Sequence, residues 1–346
     1  MPMQVICLNY IKKCRLYVLP WVEDNIIILL ITNGECFMDI FTTMITPYKK
    51  DGSIDYETAE KYVDWYFENN LTGIFAICQS SEIFYLSLEE KVELNRRVYK
   101  RAKALERESG KTFTIVSSGH TSNTLEAQAE ELNAVYESGT DALILITNRL
   151  DPNNEGDDVF IENAEKLLRL LPDAAKLGLY ECPHPYKRLV TPKILDWCLK
   201  TGRFYYMKDT CCDAQILKER SEQLKGSNFK LLNANCQTLL ESMQNGGDGY
   251  CGIMCNFHPK IYSWLGKNFK SDPEKAKLIQ SLIGTFGFTE VGLPYPLTAK
   301  YHMTLCGIET ENIARNRDSA ELTQYAKDCV KQMKSVTDYA EELIGE

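Results

Sequence analysis

Between residues 40 and 253, eight short runs rich in β-branched and aromatic residues alternate with longer stretches of helical period, and this rhythm constrains the chain more than any single motif. The runs are Ile40–Ile45, Gly73–Ile77, Thr112–Ser117, Ala142–Ile146, Leu177–Tyr180, Phe204–Met207, Phe229–Leu232 and Gly249–Ile253. Runs this short and apolar suit strands buried on both faces, and the stretches between them supply the crossovers of a parallel sheet. Asp55 stands as the cap of a helix in which Tyr56, Ala59, Tyr62, Val63, Tyr66 and Phe67 recur at helical spacing. Ser87 and Glu90 form a capping-box pair before the next helix, and Ser122 leads into a third with Leu125, Ala129, Leu132 and Tyr136. Eight strand-helix units close naturally into a barrel. An open doubly wound sheet would carry a glycine-rich phosphate turn after its first strand, whereas this turn reads Thr46-Pro47-Tyr48-Lys49-Lys50-Asp51-Gly52. The expected fold is therefore α/β, a (β/α)8 TIM barrel over residues 38–270. Beyond it, Asp272-Pro273 opens a helix and two more follow at about 296–306 and 317–343, a C-terminal helical region over 271–346 that packs on the barrel.

Residues 1–37 do not share this rhythm. Their apolar stretch Ile26–Ile31 is far shorter than the ~20 residues that span a bilayer, and Pro20 with Glu23 and Asp24 interrupts any signal-peptide core. Gly34-Glu35 can be encoded by a purine-rich ribosome-binding sequence just ahead of Met38, so residues 1–37 are expected to be a translated leader; an added strand or helix is the alternative.

Charge and cysteine usage narrow the partners. The chain carries 39 basic and 48 acidic residues, a net charge of −9, with no Lys/Arg-rich block. That leaves no electrostatic footprint for nucleic acid or an anionic membrane, and a small molecule is the expected partner. The 13 cysteines are odd in number, unevenly spaced, without a CxxC pair and include the adjacent Cys211-Cys212, which reads as reduced thiols in a cytoplasmic protein. His120, His184, His258 and His302 lack the spacing of a zinc site, so no metal is expected.

In a barrel of this kind chemistry sits at the C-terminal ends of the strands. The sixth run leads into Lys208-Asp209-Thr210. An amine aimed into the barrel mouth is partly desolvated, which disfavours the ammonium form and frees a nucleophile able to form a Schiff base. An ion pair with Asp209 is the alternative role. Tyr180 closes the fifth run on the same rim, and its hydroxyl both donates and accepts a proton; in a chain with 19 tyrosines, rim packing is the alternative. The second run continues into Cys78-Gln79-Ser80-Ser81-Glu82, a turn whose hydroxyls and N–H groups suit a carboxylate, or else an ordinary polar loop.

Together these pieces resemble the dihydrodipicolinate synthase / N-acetylneuraminate lyase family of pyruvate-dependent class I aldolases. The resemblance runs over about 38–310 and is carried by four segments. Phe41-Thr42-Thr43-Met44-Ile45-Thr46-Pro47 with Asp51-Gly52-Ser53-Ile54-Asp55 is similar to the family's first strand and turn. Glu82 with Leu86-Ser87-Leu88-Glu89-Glu90 is similar to its second-strand loop and helix start, and Leu293-Pro294-Tyr295-Pro296 to its Asn-Pro-x-Pro segment. Tyr180 and Lys208 stand 28 residues apart, as the family's tyrosine and Schiff-base lysine do.

The resemblance implies a lyase in which Lys208 forms the covalent Schiff base with pyruvate or a similar 2-oxo acid, so that no cofactor is needed. It implies that Tyr180 relays protons, that an aldehyde is the second reactant, and that the chain assembles as a homotetramer or homodimer. The implied substrate contacts are Gln79, Ser80, Ser81, Ala234 and Cys251, with Lys187 or Arg188 for the second substrate's carboxylate. Three departures stand out. Gln79 replaces a hydroxyl residue of the family's Gly-(Thr/Ser)-Thr-Gly-Glu motif, Thr147-Asn148-Arg149-Leu150-Asp151-Pro152 lacks the phenol lent across a subunit interface, and Pro185 occupies the nominal position of an arginine. They point to a divergent aldolase. The runner-up is 4-hydroxy-tetrahydrodipicolinate synthase itself, condensing pyruvate with aspartate semialdehyde, and the third reading is a barrel that binds a 2-oxo acid without catalysis.

Overall fold

The computed structural model describes residues 38–345, so the expected leader over 1–37 lies outside the described residues. The first half of the barrel runs β1 (Asp39–Thr43), α1 (Tyr56–Glu68), β2 (Gly73–Phe75), α2 (Leu88–Ser109), β3 (Thr114–Ser117), α3 (Leu125–Glu137), β4 (Ala142–Ile146), α4 (Thr147–Leu150) and α5 (Asp157–Leu168). The second half runs β5 (Leu177–Tyr180), α6 (Pro192–Thr201), β6 (Phe204–Asp209), α7 (Ala214–Leu224), β7 (Lys230–Asn233), α8 (Leu239–Gln244), β8 (Gly249–Gly252) and α9 (Pro259–Asn268). Three further helices follow, α10 (Pro273–Val291), α11 (Leu297–Leu305) and α12 (Gln324–Ile344). All strands pair in parallel and in sequence order, and β8 closes on β1 with Phe41 opposite Cys251. The chain is a TIM barrel with C-terminal helices.

Closure demands a glycine at the seam. Gly249 has φ +150°, and a Cβ there would lie 1.8 Å from the Asp39 carbonyl oxygen, so only a residue without one lets β8 approach β1 this closely. The apolar faces of the strands and of the surrounding helices form the core, with Ile40, Phe41, Ile74, Ile115, Ile144, Leu177, Met207 and Leu231 all essentially inaccessible.

Local signals locate most boundaries. Asp55 caps α1 by accepting from the Thr58 N–H at 3.1 Å, and Ser87 with Glu90 makes the reciprocal box before α2. Most strands shift by one or two residues at one or both ends from the sequence expectation, and three differences have an evident tertiary reason. β2 stops at Phe75 because the next carbonyl, that of Ala76, is met by the Ser81 hydroxyl at 2.5 Å. α3 is capped by Thr124 rather than Ser122, whose N–H is taken by the Glu131 carboxylate at 2.9 Å. The last helix starts at Gln324, since Asp318 and Glu321 close a separate turn upstream and Thr323 caps the helix. α12 packs on α9 and α11, and Lys260 pairs with Glu341 at 3.0 Å. Among the described residues no helix is long and apolar enough to cross a membrane.

One carboxyl in the C-terminal region titrates unusually. Glu290 on α10 is buried, accepts from the Thr298 hydroxyl at 2.6 Å, and burial pushes its pKa up to about 8. The folded chain therefore holds a proton that the unfolded chain gives up at the ordinary carboxyl value, and this contribution is full below that value and lost as pH rises through 8. Glu290→Gln is expected to flatten the fall in urea midpoint between pH 5 and pH 8; an unchanged slope would exclude Glu290 as its source.

Candidate active site

The site begins with the alternation of side chains on β5 and β6. Tyr180 lies directly opposite Lys208 in the ladder, so both project from the same end of the barrel. Their successors, Glu181 and Asp209, point to the other face of the sheet, toward α7. There Arg220 donates through Nη2 to Glu181 at 2.7 Å and through Nη1 to Asp209, with all three side chains buried. Glu181 also accepts the N–H groups of Val190 at 2.7 Å and Thr210 at 2.8 Å. Burial and then the charge of Asp209 raise the Glu181 pKa, and Arg220 opposes them. Against its own burial, the guanidinium is held above its ordinary value by the two carboxylates. Asp209 is thus committed to Arg220 and not to its neighbour Lys208.

Lys208 has no carboxylate partner among the described residues; its Nζ sits 4.2 Å from the centroid of the Tyr180 ring. The Tyr180 hydroxyl donates to Gln79 Oε1 at 3.2 Å, and the ring stands edge-on to Phe75 at 5.5 Å. Burial, then the nearby thiols of Cys182 and Cys78, hold this phenol well above its ordinary pKa.

The segment after β2 makes two 3-10 turns, Gln79–Ser81 and Ile83–Tyr85, with Glu82 between them. Ser80 donates to the Thr43 hydroxyl at 3.0 Å, and both open onto the cavity. Ser81 does not. It is fully buried with its hydroxyl 2.8 and 2.5 Å from the carbonyl oxygens of Met44 and Ala76, so it builds the turn and is unavailable to a substrate. Glu82, at φ +62°, enters a left-handed conformation that a residue with a Cβ adopts only when its surroundings over-determine it. They do so here. Its carboxylate takes the Lys300 ammonium at 2.9 Å and the N–H groups of Arg315 and Asn316 at 2.5 and 3.1 Å. The Lys300 pKa is lowered to about 8 by burial, with Glu82 opposing.

This anchor brings the C-terminal region over the strand ends and completes a cavity of about 570 Å3. Its polar part is formed by Lys208, Tyr180, Gln79, Ser80, Thr43 and Tyr295, and its outer part by Phe84, Tyr85, His184, Asn316 and Arg317. Four of the candidate residues, Lys208, Tyr180, Gln79 and Ser80, therefore meet in one space. Cys251 stands behind it on β8, buried, its thiol pKa pushed up to about 12 by burial while the Lys208 charge opposes. Ala234 uses its backbone N–H on the Asp209 carbonyl at 2.9 Å, tying β7 to β6. The two cations expected for a second carboxylate lie elsewhere. Lys187 is exposed with Nζ on the Thr210 carbonyl at 2.7 Å, and Arg188 is buried between Asp151 at 2.8 Å and Asp157 at 2.7 Å. Neither lines the cavity, because Asn148 Nδ2, within 3.0 Å of the Cys182, His184 and Tyr186 carbonyls, folds the β5–α6 loop back on α4. The sequence reading missed Thr43, Tyr295 and the outer wall; Thr43 and Tyr295 had a signal, their places in the Phe41–Pro47 and Leu293–Pro296 segments. A second depression of about 540 Å3, between Lys61, Trp65 and Gly307, lies on the helical exterior away from the strand ends.

The model of the dihydrodipicolinate synthetase family matches residues 36–157. The 4-hydroxy-tetrahydrodipicolinate synthase of Coxiella burnetii is 25% identical over 227 residues, 65% of this chain and 73% of that protein. The synthase of Pseudomonas aeruginosa is 26% identical over 225 residues, 64% and 72% of the respective chains. Among solved structures, a monomeric dihydrodipicolinate synthase variant superposes with a TM-score of 0.77 at 16% identity, covering 89% of this chain and 99% of its own. The chloride-inhibited synthase of Acinetobacter baumannii complexed with pyruvate gives 0.73 at 20% identity over 87% and 99%. A prophage protein of E. coli in complex with pyruvate gives 0.74 at 18% identity over 88% and 99%.

The Arg220 cluster yields a stability prediction. Arg220→Ala leaves two buried carboxylates without a counter-charge and is expected to cost about 3–5 kcal/mol, read from the urea midpoint; a loss below ~1 kcal/mol, the range of exposed ion pairs, would show that the cluster is not a closed buried unit.

Proposed function

We propose, from the similarity to the dihydrodipicolinate synthetase family, that this chain is a distant member of it and a class I aldolase or lyase joining or separating pyruvate, or a similar 2-oxo acid, and an aldehyde. The observation that carries this reading is the Lys208 amine, unpaired with any described carboxylate, above the Tyr180 ring in a cavity at the strand ends. The amine attacks the ketone carbon, and loss of water from the carbinolamine gives an iminium that serves as electron sink for the enamine. Tyr180, 3.2 Å from Gln79, moves the protons of imine formation. The Gln79 amide, and the Ser80 hydroxyl when it turns from Thr43, supply donors for the carboxylate. The reading needs neither metal nor cofactor, and it includes assembly as a homotetramer or homodimer in the cytoplasm.

The names of the relatives favour a second reading, condensation of pyruvate with aspartate semialdehyde. Pro185 and the removal of Lys187 and Arg188 from the cavity speak for a different aldehyde.

Borohydride reduction with pyruvate present is expected to place a reduced pyruvyl adduct on the Lys208 peptide, seen by mass spectrometry, and Lys208→Ala is expected to abolish it while the far-ultraviolet dichroism stays the same. Absence of an adduct on the parent protein would defeat the aldolase reading. With an accepted aldehyde, Tyr180→Phe should slow turnover by roughly 10²–10⁴-fold, and unchanged turnover would remove Tyr180 from the proton path.

A further inference from the structure

Two of the three tyrosines that line the Lys208 cavity, Tyr180 and Tyr295, stand in its polar part, and their surroundings differ. The Tyr180 chain stops at the Gln79 amide oxygen, an acceptor with no proton of its own to pass on. Tyr295, from the segment before α11, shares the cavity wall with Ser80 and Thr43, whose hydroxyls are 3.0 Å apart.

The Tyr295 oxygen is one of three acceptors around the buried Asn256 amide nitrogen, the Ile253 carbonyl at 3.0 Å being another. Asn256 donates to the phenol at 3.3 Å and to the Thr43 carbonyl at 2.9 Å, while the Asn256 Oδ1 accepts from Tyr66 at 2.6 Å. The phenol thus occupies a built position against β1, with a hydroxyl pair on one side and the cavity on the other. Hydroxyls, unlike a carboxamide oxygen, accept one proton while releasing another.

We propose that Tyr295 is a second catalytic phenol, carrying the proton to and from C3 of the 2-oxo acid while it is bound to Lys208. The proposal rests on the aldolase reading above. In the step, the π electrons of the enamine take the phenol proton. The C3–H bond forms as the Tyr295 O–H bond breaks, the nitrogen becomes an iminium, and the phenolate takes a proton from the Ser80–Thr43 pair, which refills from cavity water. Loss of a C3 proton from the iminium follows the same path in reverse. Burial keeps the Tyr295 phenol above its ordinary pKa, with the nearby Ser80 and Thr43 hydroxyls opposing, so the resting group is the protonated donor.

The test uses the full chain and pyruvate alone, so the aldehyde need not be known. Exchange of the pyruvate methyl protons is followed by NMR in deuterated water beside borohydride trapping, with dichroism confirming that Tyr295→Phe folds. The expected result is that Tyr295→Phe traps pyruvate as the parent does while methyl exchange falls by about 10²-fold or more. Exchange at the parent rate in Tyr295→Phe would overturn the proposal, as would a parent protein that traps pyruvate without exchanging it. Loss of trapping together with exchange would also overturn it, by moving Tyr295 to imine formation. A parent protein that does not trap pyruvate would instead bring down the aldolase reading, and this inference with it.

Discussion

Arg220 ties together the two strands that present Lys208 and Tyr180 to the cavity. Its guanidinium grips Glu181 and Asp209, the residues that follow Tyr180 and Lys208 on neighbouring strands, and in a strand the residue after a cavity-facing one must face the helices. Fixing the outward pair therefore fixes the inward pair. A buried ion cluster of this kind is not favoured by stability alone, since apolar residues of the same volume often do as well. Its use here is positional, because a one-residue slip between β5 and β6 would turn the lysine and the phenol to opposite sides. It also removes the carboxylate that would otherwise neutralise Lys208, which leaves the amine on an aromatic face.

A second buried charge makes the mouth a composite of barrel and C-terminal region. Glu82 joins Lys300 to the backbone of Arg315 and Asn316 across more than two hundred residues of sequence. Arg315 adds paired bonds to Glu90 at 2.7 and 2.6 Å, at the start of α2. The helices after the barrel are thereby part of the site, and Tyr295, Asn316 and Arg317 reach the cavity because of them.

The division between what was legible in the sequence and what was not follows the range of the interactions. The strand rhythm, the Asp55 cap and the Ser87–Glu90 box depend on neighbours within a few positions, and they locate the barrel from composition and period. Lys208 and Tyr180 are legible as strand-end residues, while their expected roles come from the family resemblance and its 28-residue spacing. Ser81, Lys187 and Arg188 have the right chemistry in the right segments, yet their directions are set by Met44, Thr210 and Asp151, partners that no local pattern reveals. The loss of the Arg188 role and the arrival of Arg317 at the cavity are two sides of the same limit. A residue type can be read locally, whereas its orientation belongs to the packed molecule.

The central claim is that the barrel mouth is organised around a free Lys208 amine that takes a 2-oxo acid covalently. A crystal structure of the protein soaked with pyruvate tests it most directly. Continuous density from Lys208 Nζ to C2 of the ligand, beside the Tyr180 and Tyr295 hydroxyls, is the result the account requires. Pyruvate bound elsewhere, or a free Lys208 amine beside an intact ketone, would contradict it.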